Sequence, residues 1–460
     1  MLLKISMFSK KYAFFYSCAI ISAIIYKMTE NSLISTIITV LGLSISLGVA
    51  YSNDLLGIWL LFVLAYDIWG LVPYANIGEG VLHWYDFNVI LAFLLYIKFI
   101  KMHRKSVYGI VYGLLLLFVG IACIQSKTIY NQSVLTTLLT SRALFVVIAF
   151  WPIVTMVKSG RVTKREFVDV FIKFTRWTMK IYWLTWLFEN MGVHITYLQT
   201  GLRWGVRIYI NPIFIMLYFF LALHGAIYKD VENPFGNKAI HNCIYAMLSI
   251  VVVAQGRSAI LYMLIVAAIM LLMSLRKDKI VKYSLLAIVV AVGLMCVPQI
   301  RGVVLDSLAE SQNSNGGNIA VRLIERKFFE EKLVGHELFG VGIPNNHDDN
   351  SVAYSGKYID PVSHKYNNYY LEDLGAFSIR YQFGYISYIL YFILLIFGII
   401  DGAQRRHNSN LSFVGLAFLM FMLLNCQLLA YITFRPFGFM IALIFLEISR
   451  MEERTWIFNS

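Results

Sequence analysis

A small set of arginines and acids in this chain is spaced for chemistry as much as for packing. Arg203 and Arg207 stand just ahead of an apolar run that begins near Ile208 and carries Asn211-Pro212 in its first turn. Arg257 opens another run between Gly256 and Ser258, and Arg322 lies on a charged, amphipathic stretch. A guanidinium is planar, keeps its proton and donates two parallel hydrogen bonds, which suits a phosphate or pyrophosphate ligand. Further along come His347-Asp348-Asp349, His364 and Glu372-Asp373. A histidine or carboxylate close to several arginines fits transfer to a hydroxyl nucleophile: the base takes the hydroxyl proton, and the arginines stabilise the charge that grows on a departing pyrophosphate. Plainer readings stand beside this one, in which each arginine reaches to lipid phosphates and each histidine is a solvated surface residue. His347-Asp348-Asp349 is also a candidate for a divalent cation, but three adjacent residues without partners are a weak signal. The expected chemistry is therefore metal-independent, with no cofactor.

The elements that must position these residues are membrane helices. Of 460 residues, 59% are hydrophobic and 14% charged, and the mean hydropathy is +0.68, whereas soluble chains are about half apolar and about a quarter charged. Apolar runs fall near 12–28, 33–50, 54–72, 84–100, 107–125, 134–157, 170–190, 208–227, 239–254, 257–275, 281–298, 378–400, 411–430 and 433–449. They predict an all-α polytopic membrane protein with about 14 transmembrane helices, in a range of about 12–14. Three parts follow: a helix bundle over 1–298, a large loop over 299–377, and C-terminal helices with a short tail over 378–460. No internal repeat stands out.

A net charge of +13 would suit nucleic acid, but the basic residues sit in short clusters between apolar runs: Lys101/Arg104/Lys105, Lys158/Arg161/Lys164/Arg165, Arg276/Lys277/Lys279/Lys282 and Arg405/Arg406. That is the pattern of cytoplasmic loops, so no nucleic-acid partner is expected. With the N-terminus inside, the helix count puts every cluster and both termini in the cytoplasm. It puts 73–84, 191–207, Gln255-Gly256-Arg257 and the whole 299–377 loop outside. Trp84, Trp151, Trp177 and Trp204, near helix ends, read as an interfacial belt. The five cysteines all lie in apolar segments, so no disulfide framework is implied. Lys4, Lys10 and Lys11 precede the first run, but Tyr26-Lys27-Met28-Thr29 offers no small-residue cleavage site, so that run is expected to be a spanning helix.

Within the loop, Ile319–Val334 has Val321, Ile324, Phe328 and Leu333 near one helical face and predicts a helix lying on the membrane or on the bundle. Gly340-Val341-Gly342-Ile343-Pro344 predicts a turn.

As a set, these features resemble the O-antigen polymerase and O-antigen ligase superfamily. The residues that carry the likeness are Arg207 before Asn211-Pro212, Gln255-Gly256-Arg257-Ser258 at a helix start, Arg322 in an amphipathic segment, Leu338-Phe339-Gly340-Val341-Gly342, His364, and Arg380-Tyr381-Gln382-Phe383-Gly384-Tyr385-Ile386 where the chain returns to the membrane. The resemblance covers roughly residues 200–400 and is one of pattern. It implies a membrane glycosyltransferase fold of the C type in a bacterial inner (cytoplasmic) membrane, with the large loop periplasmic and containing short helices. It implies that Arg203, Arg207, Arg257, Arg322 and Arg380 hold the pyrophosphate of an undecaprenyl-pyrophosphate-linked oligosaccharide, and that His364 or Asp373 is the base. His364 is followed by Lys365, where the family often has His-Asn, and Asp373 lies nearer the usual distance from Gly384. The implied partners are that lipid-linked oligosaccharide, membrane lipid and a chain-length regulator protein. A polymerase is the first expectation, with a ligase that transfers finished polymer to a lipid A core as the alternative. A lipid-linked oligosaccharide flippase is a rival of another class, for which Asp67 and Glu189 are the polar residues inside apolar runs.

Overall fold

Helices form wherever the described chain is apolar, because inside a bilayer a helix is the simplest way to pair every backbone group. The computed structural model describes residues 32–71, 75–77, 80–103, 105–202, 205–228, 233–274, 318–359, 366–407 and 409–457. The spans expected over 12–28 and 281–298 lie outside the described residues. In chain order come α1 (Ser32–Ser52), α2 (Asp54–Ala65), the antiparallel hairpin β1 (Ala75–Ile77) and β2 (Gly80–Leu82), α3 (Trp84–Phe99), α4 (Val107–Tyr130), α5 (Val134–Thr140), α6 (Phe150–Lys158) and α7 (Lys164–Asn190). A second hairpin, β3 (Thr200–Leu202) and β4 (Val206–Ile208), leads to α8 (Ile213–Ile227), α9 (Ala239–Leu248) and α10 (Arg257–Ser274). The loop holds α11 (Asn318–Leu333) and a third hairpin, β5 (Lys357–Ile359) and β6 (Tyr366–Asn368). Last come α12 (Phe377–Arg405), α13 (Asn410–Leu424), α14 (Tyr431–Phe434) and α15 (Pro436–Ile457).

Among the described residues four helical stretches are long and apolar enough to cross a membrane: Val107–Tyr130, Gly236–Ala254, Arg257–Ser274 and Phe377–Arg405. The pair Val134–Thr140 and Arg142–Lys158, bent by 62°, makes a fifth if it is one span. The centre is built from α8 and α13, apolar on every side and almost wholly buried, with α15 against them. The periphery is different. On α12, Ile389, Ile393, Ile396 and Ile400 are each more than half exposed at a helical spacing, the stripe that faces lipid in a membrane protein. Trp84, expected at an interface, is instead fully buried, while Trp177 is exposed.

The bundle has two distinct ends. At one, called here the basic end, Asp54 pairs with Lys98 and Arg161 at 2.7 Å each. Lys158 pairs with Glu447 at 2.5 Å, and Asp401 lies between Arg405 and Arg450 while accepting a hydrogen bond from the Tyr108 hydroxyl at 2.7 Å. These contacts use Lys158 and Arg161 of one predicted basic cluster and Arg405 of another. The three hairpins, α11 and the starts of α8, α12 and α15 lie at the other, or hairpin, end.

There α12 is broken. Gly384 has φ 82° and ψ −178°, and the strap Glu337–Ile343 fills the gap. Val341 N–H donates to the Tyr381 carbonyl at 2.8 Å, Gly342 N–H to that of Gln382 at 3.2 Å, and Tyr385 N–H to the Glu337 carbonyl at 2.8 Å. So Gly340–Pro344 is an inserted strap and not the free turn that the glycines predict. A Cβ on Gly384 would collide with the Leu338 carbonyl, and only glycine takes this φ easily. Ser126 on α4 anchors the far side, its hydroxyl accepting from Ile343 N–H at 3.0 Å.

Candidate functional site

The first arginine group is built where β4 meets the start of α10. Gly201 stands opposite Arg207 in the hairpin, with the Tyr209 ring against the glycine. The π-helical turn Ser249–Ala254 that follows α9 ends in Gln255, whose left-handed backbone (φ 48°) stops the helix. Its side-chain amide donates to the Val206 carbonyl at 3.0 Å and locks this turn to β4. The stop also frees the Ala254 carbonyl, which accepts from Arg207 Nε at 3.0 Å. Arg207 then lies flat over Tyr209, 4.2 Å from the ring centre, with its two terminal nitrogens left to point elsewhere. Three residues beyond Ala254, Arg257 opens α10. A cation there opposes the helix dipole, which costs about 0.3–1 kcal/mol and favours an anion in the same place. Arg203 belongs to the tip of this hairpin and lies outside the described residues.

The second group lies on α11 and the start of α12. The buried stripe of α11 is Glu325, Phe329 and Leu333, while Val321 and Ile324 are exposed; the helix is rotated from its predicted face. An apolar-only reading missed this because a carboxylate sits in the packed stripe. Glu325 is 3% exposed and accepts a hydrogen bond from Tyr370 N–H at 3.0 Å. Burial raises its pKa, partly offset by that N–H, and the charges of Asp373 and Arg322 act on it in opposite directions. Asp373 stands in the short helical turn Leu371–Leu374, which packs on α11. Arg326 and Arg380 share the Phe377 ring at 5.5 and 5.8 Å, and Arg380 stacks on Tyr385 at 4.1 Å. The Arg380 Nε is buried with no hydrogen-bond partner among the described residues. The structure therefore ties Arg207 to the turn that precedes Arg257, and carries Arg322 and Asp373 on elements that pack together. α11 packs on α12 and the 371–374 turn, β4 on α7 and the turn before α10. Both groups occupy the hairpin end. His364 lies outside the described residues. Asp348 spends one carboxylate oxygen on Asn350 N–H at 2.9 Å, which is turn chemistry.

Sequence reasoning missed a third cluster. Asp67, Ile68 and Trp69 all have left-handed φ, at 48°, 51° and 55°, and Gly70 follows at 64°. Such a conformation costs roughly 1–2 kcal/mol per non-glycine residue, and persists only where its surroundings enforce it. Here Trp69 stacks on Phe174 at 5.6 Å and donates to Thr178 Oγ1 at 2.8 Å, and the Gly70 carbonyl accepts from Tyr197 N–H at 2.7 Å. Tyr85 accepts from Arg142 Nε at 3.1 Å, and Arg142 faces Asp86 at 3.4 Å. The usable signal was Arg435-Pro436, an arginine near the start of the apolar run 433–449 on the predicted outer side. Compared by sequence with models of known protein families and with curated proteins, the chain gives no match.

Proposed function

We propose that this chain is an O-antigen polymerase or a polymerase of a related surface polysaccharide, moving a growing glycan from undecaprenyl pyrophosphate onto a sugar hydroxyl of a lipid-linked repeat unit. The hairpin end is the periplasmic face of a bacterial inner membrane, and the basic end with both termini is cytoplasmic. One observation carries the reading: Arg207 is fixed by the Ala254 carbonyl and the Tyr209 ring, faces no carboxylate among the described residues, and is bonded to the turn three residues ahead of an arginine at a helix N-terminus. Two guanidinium groups and the first N–H groups of α10 make a positive site at the depth of a lipid headgroup. A diphosphate fills such a site better than one phosphate does. Charge accumulating on the leaving diphosphate is stabilised there without reorganisation, so positioning and electrostatics supply the rate. By sequence, Arg203 is assigned to the same group. Arg322 and Arg380, on the second group, serve the lipid-linked chain as it arrives over α12, and the lipid-facing stripes hold the isoprenoid tails.

The test is chain extension in cells. Arg207→Ala and Arg257→Ala should each leave the protein in the membrane and reduce the ladder of surface sugar chains to a single repeat unit. Full-length ladders from both variants would defeat the proposal. Surface lipid without even one repeat would favour the ligase.

A further inference from the structure

Lys127 is a cation at the hairpin end that belongs to neither arginine group. It stands in the last turn of α4, a helix long and apolar enough to cross a membrane. α4 starts at the basic end, where Tyr108 meets Asp401, and finishes beside the strap, where Ser126 holds Ile343. Lys127 is therefore at the depth of a lipid headgroup. Its ammonium donates to Asn131 Oδ1, a neutral acceptor, at 2.6 Å and faces no carboxylate among the described residues.

Beside it runs a groove of about 470 Å³. Gly120, Ile124, Lys127 and Thr128 form the wall from α4, at helical spacing on one face, over the buried Cys123. Val134 and Leu138, one turn apart, form the wall from α5. A Cβ built on Gly120 would meet nothing within 4 Å, so this end of the groove is open space. Ile124 and Val134 are 63% and 49% exposed, which puts the groove on the lipid-facing surface. Thr128 gives its hydroxyl proton to the Gln125 carbonyl at 3.1 Å. The groove thus offers hydrocarbon along its length and one positive charge near the hairpin end. Such walls give water no partners, and a chain from the bilayer fills them instead.

Depth and charge together select the lipid. Gly120 lies roughly 10 Å deeper along α4 than Lys127, which stays within one leaflet, about half of the ~30 Å hydrocarbon core. That matches an acyl chain better than a far longer isoprenoid. A single ammonium suits one phosphodiester, whereas a pair of guanidinium forks suits a diphosphate. A zwitterionic headgroup brings its own cation and gains less from Lys127. Other faces of the same corner hold the strap. The Gln132 amide donates to the Ile343 carbonyl at 2.9 Å, its oxygen accepts from Asn345 N–H at 3.0 Å, and Thr140 Oγ1 accepts from Asn345 Nδ2 at 2.9 Å.

We propose that this groove binds one anionic phospholipid of the surrounding membrane, its acyl chain between α4 and α5 and its phosphate on Lys127. The site goes beyond the polymerase reading and does not depend on it.

The experiment uses the full chain in nanodiscs and a phosphatidylglycerol with a photoreactive diazirine on its acyl chain, the labelled peptides being mapped by mass spectrometry. Label should concentrate on residues 120–138, and phosphatidylcholine with the same chain should label that segment about fivefold less. Lys127→Gln should erase the headgroup preference. Gly120→Phe, which fills the open space, should remove the label for both lipids; if that variant does not fold, Gly120→Leu takes its place with the same expected loss. Equal labelling of the wild-type protein by the two lipids overturns the proposal, as does a preference that survives Lys127→Gln or a label undiminished in the folded glycine variant. An equimolar amount of undecaprenyl phosphate should leave most of the label in place. Its removal would make the occupant an isoprenoid and sink the phospholipid assignment.

Discussion

At the basic end Lys98, Arg161, Lys158, Arg405 and Arg450 each face a carboxylate, and four of the helices that start there are closed by side chains. Asn53, Ser106, Thr163 and Ser409 cap α2, α4, α7 and α13. At the hairpin end Arg207 and Arg380 lie on tyrosine rings, and the residues before α8 and α12 are Pro212 and Ala376, which make no side-chain cap. The same residue type is thus spent in two ways. Paired arginines tie helices together; arginines held by rings and carbonyls keep their outward N–H groups for something else.

This contrast can be broken by substitution. The largest expected effect on folding is at the basic end. Asp401→Ala removes the carboxylate that faces buried Arg405 and accepts from the Tyr108 hydroxyl, and should destabilise the protein by about 3–5 kcal/mol, read as a lowered unfolding midpoint in detergent. Arg207→Ala should shift the same midpoint by no more than about 0.5 kcal/mol. Equal losses from the two would erase the distinction. An intermediate effect is expected at the break in α12. Gly384→Ala forces a methyl group onto the Leu338 carbonyl at a left-handed φ, and should cost about 1–3 kcal/mol and release the strap to limited proteolysis near Leu338. A strap that stays protected would show that the glycine is dispensable.

The smallest effect sharpens the hairpin end itself. Because burial raises the Glu325 pKa, the folded chain holds that proton longer than the unfolded chain. Docking of α11 is then strongest below the ordinary carboxylate range and weakens as pH rises through the raised value. A spin label at Val321 should become more mobile on going from acidic to neutral pH, and Glu325→Gln should remove the change. Mobility that rises on acidification would reverse the sign and refute the assignment.

The helices were legible because burial in a bilayer leaves few alternatives: an apolar run of the right length has to be helical, as from Val107 to Tyr130 and Phe377 to Arg405. The basic clusters were legible for the same reason, since charge marks the ends of such runs. What escaped was decided by contacts distant in sequence. The rotation of α11 depends on Tyr370 reaching Glu325, and the strap at 337–343 depends on the break at Gly384. The left-handed turn at Asp67 exists only because Phe174, Thr178 and Tyr197 hold it. The described members of the predicted arginine set share one end of the bundle, but their division into two groups follows from which elements carry them, and no local pattern shows that.

The central claim is that the pair Arg207 and Arg257 is a diphosphate site, and it is tested most directly by binding. In nanodiscs, undecaprenyl diphosphate should bind at least about tenfold more tightly than undecaprenyl monophosphate, and Arg207→Ala should abolish that preference while leaving the unfolding midpoint in place. Equal affinity of the wild-type protein for the two lipids, or a preference that survives in Arg207→Ala, would contradict it.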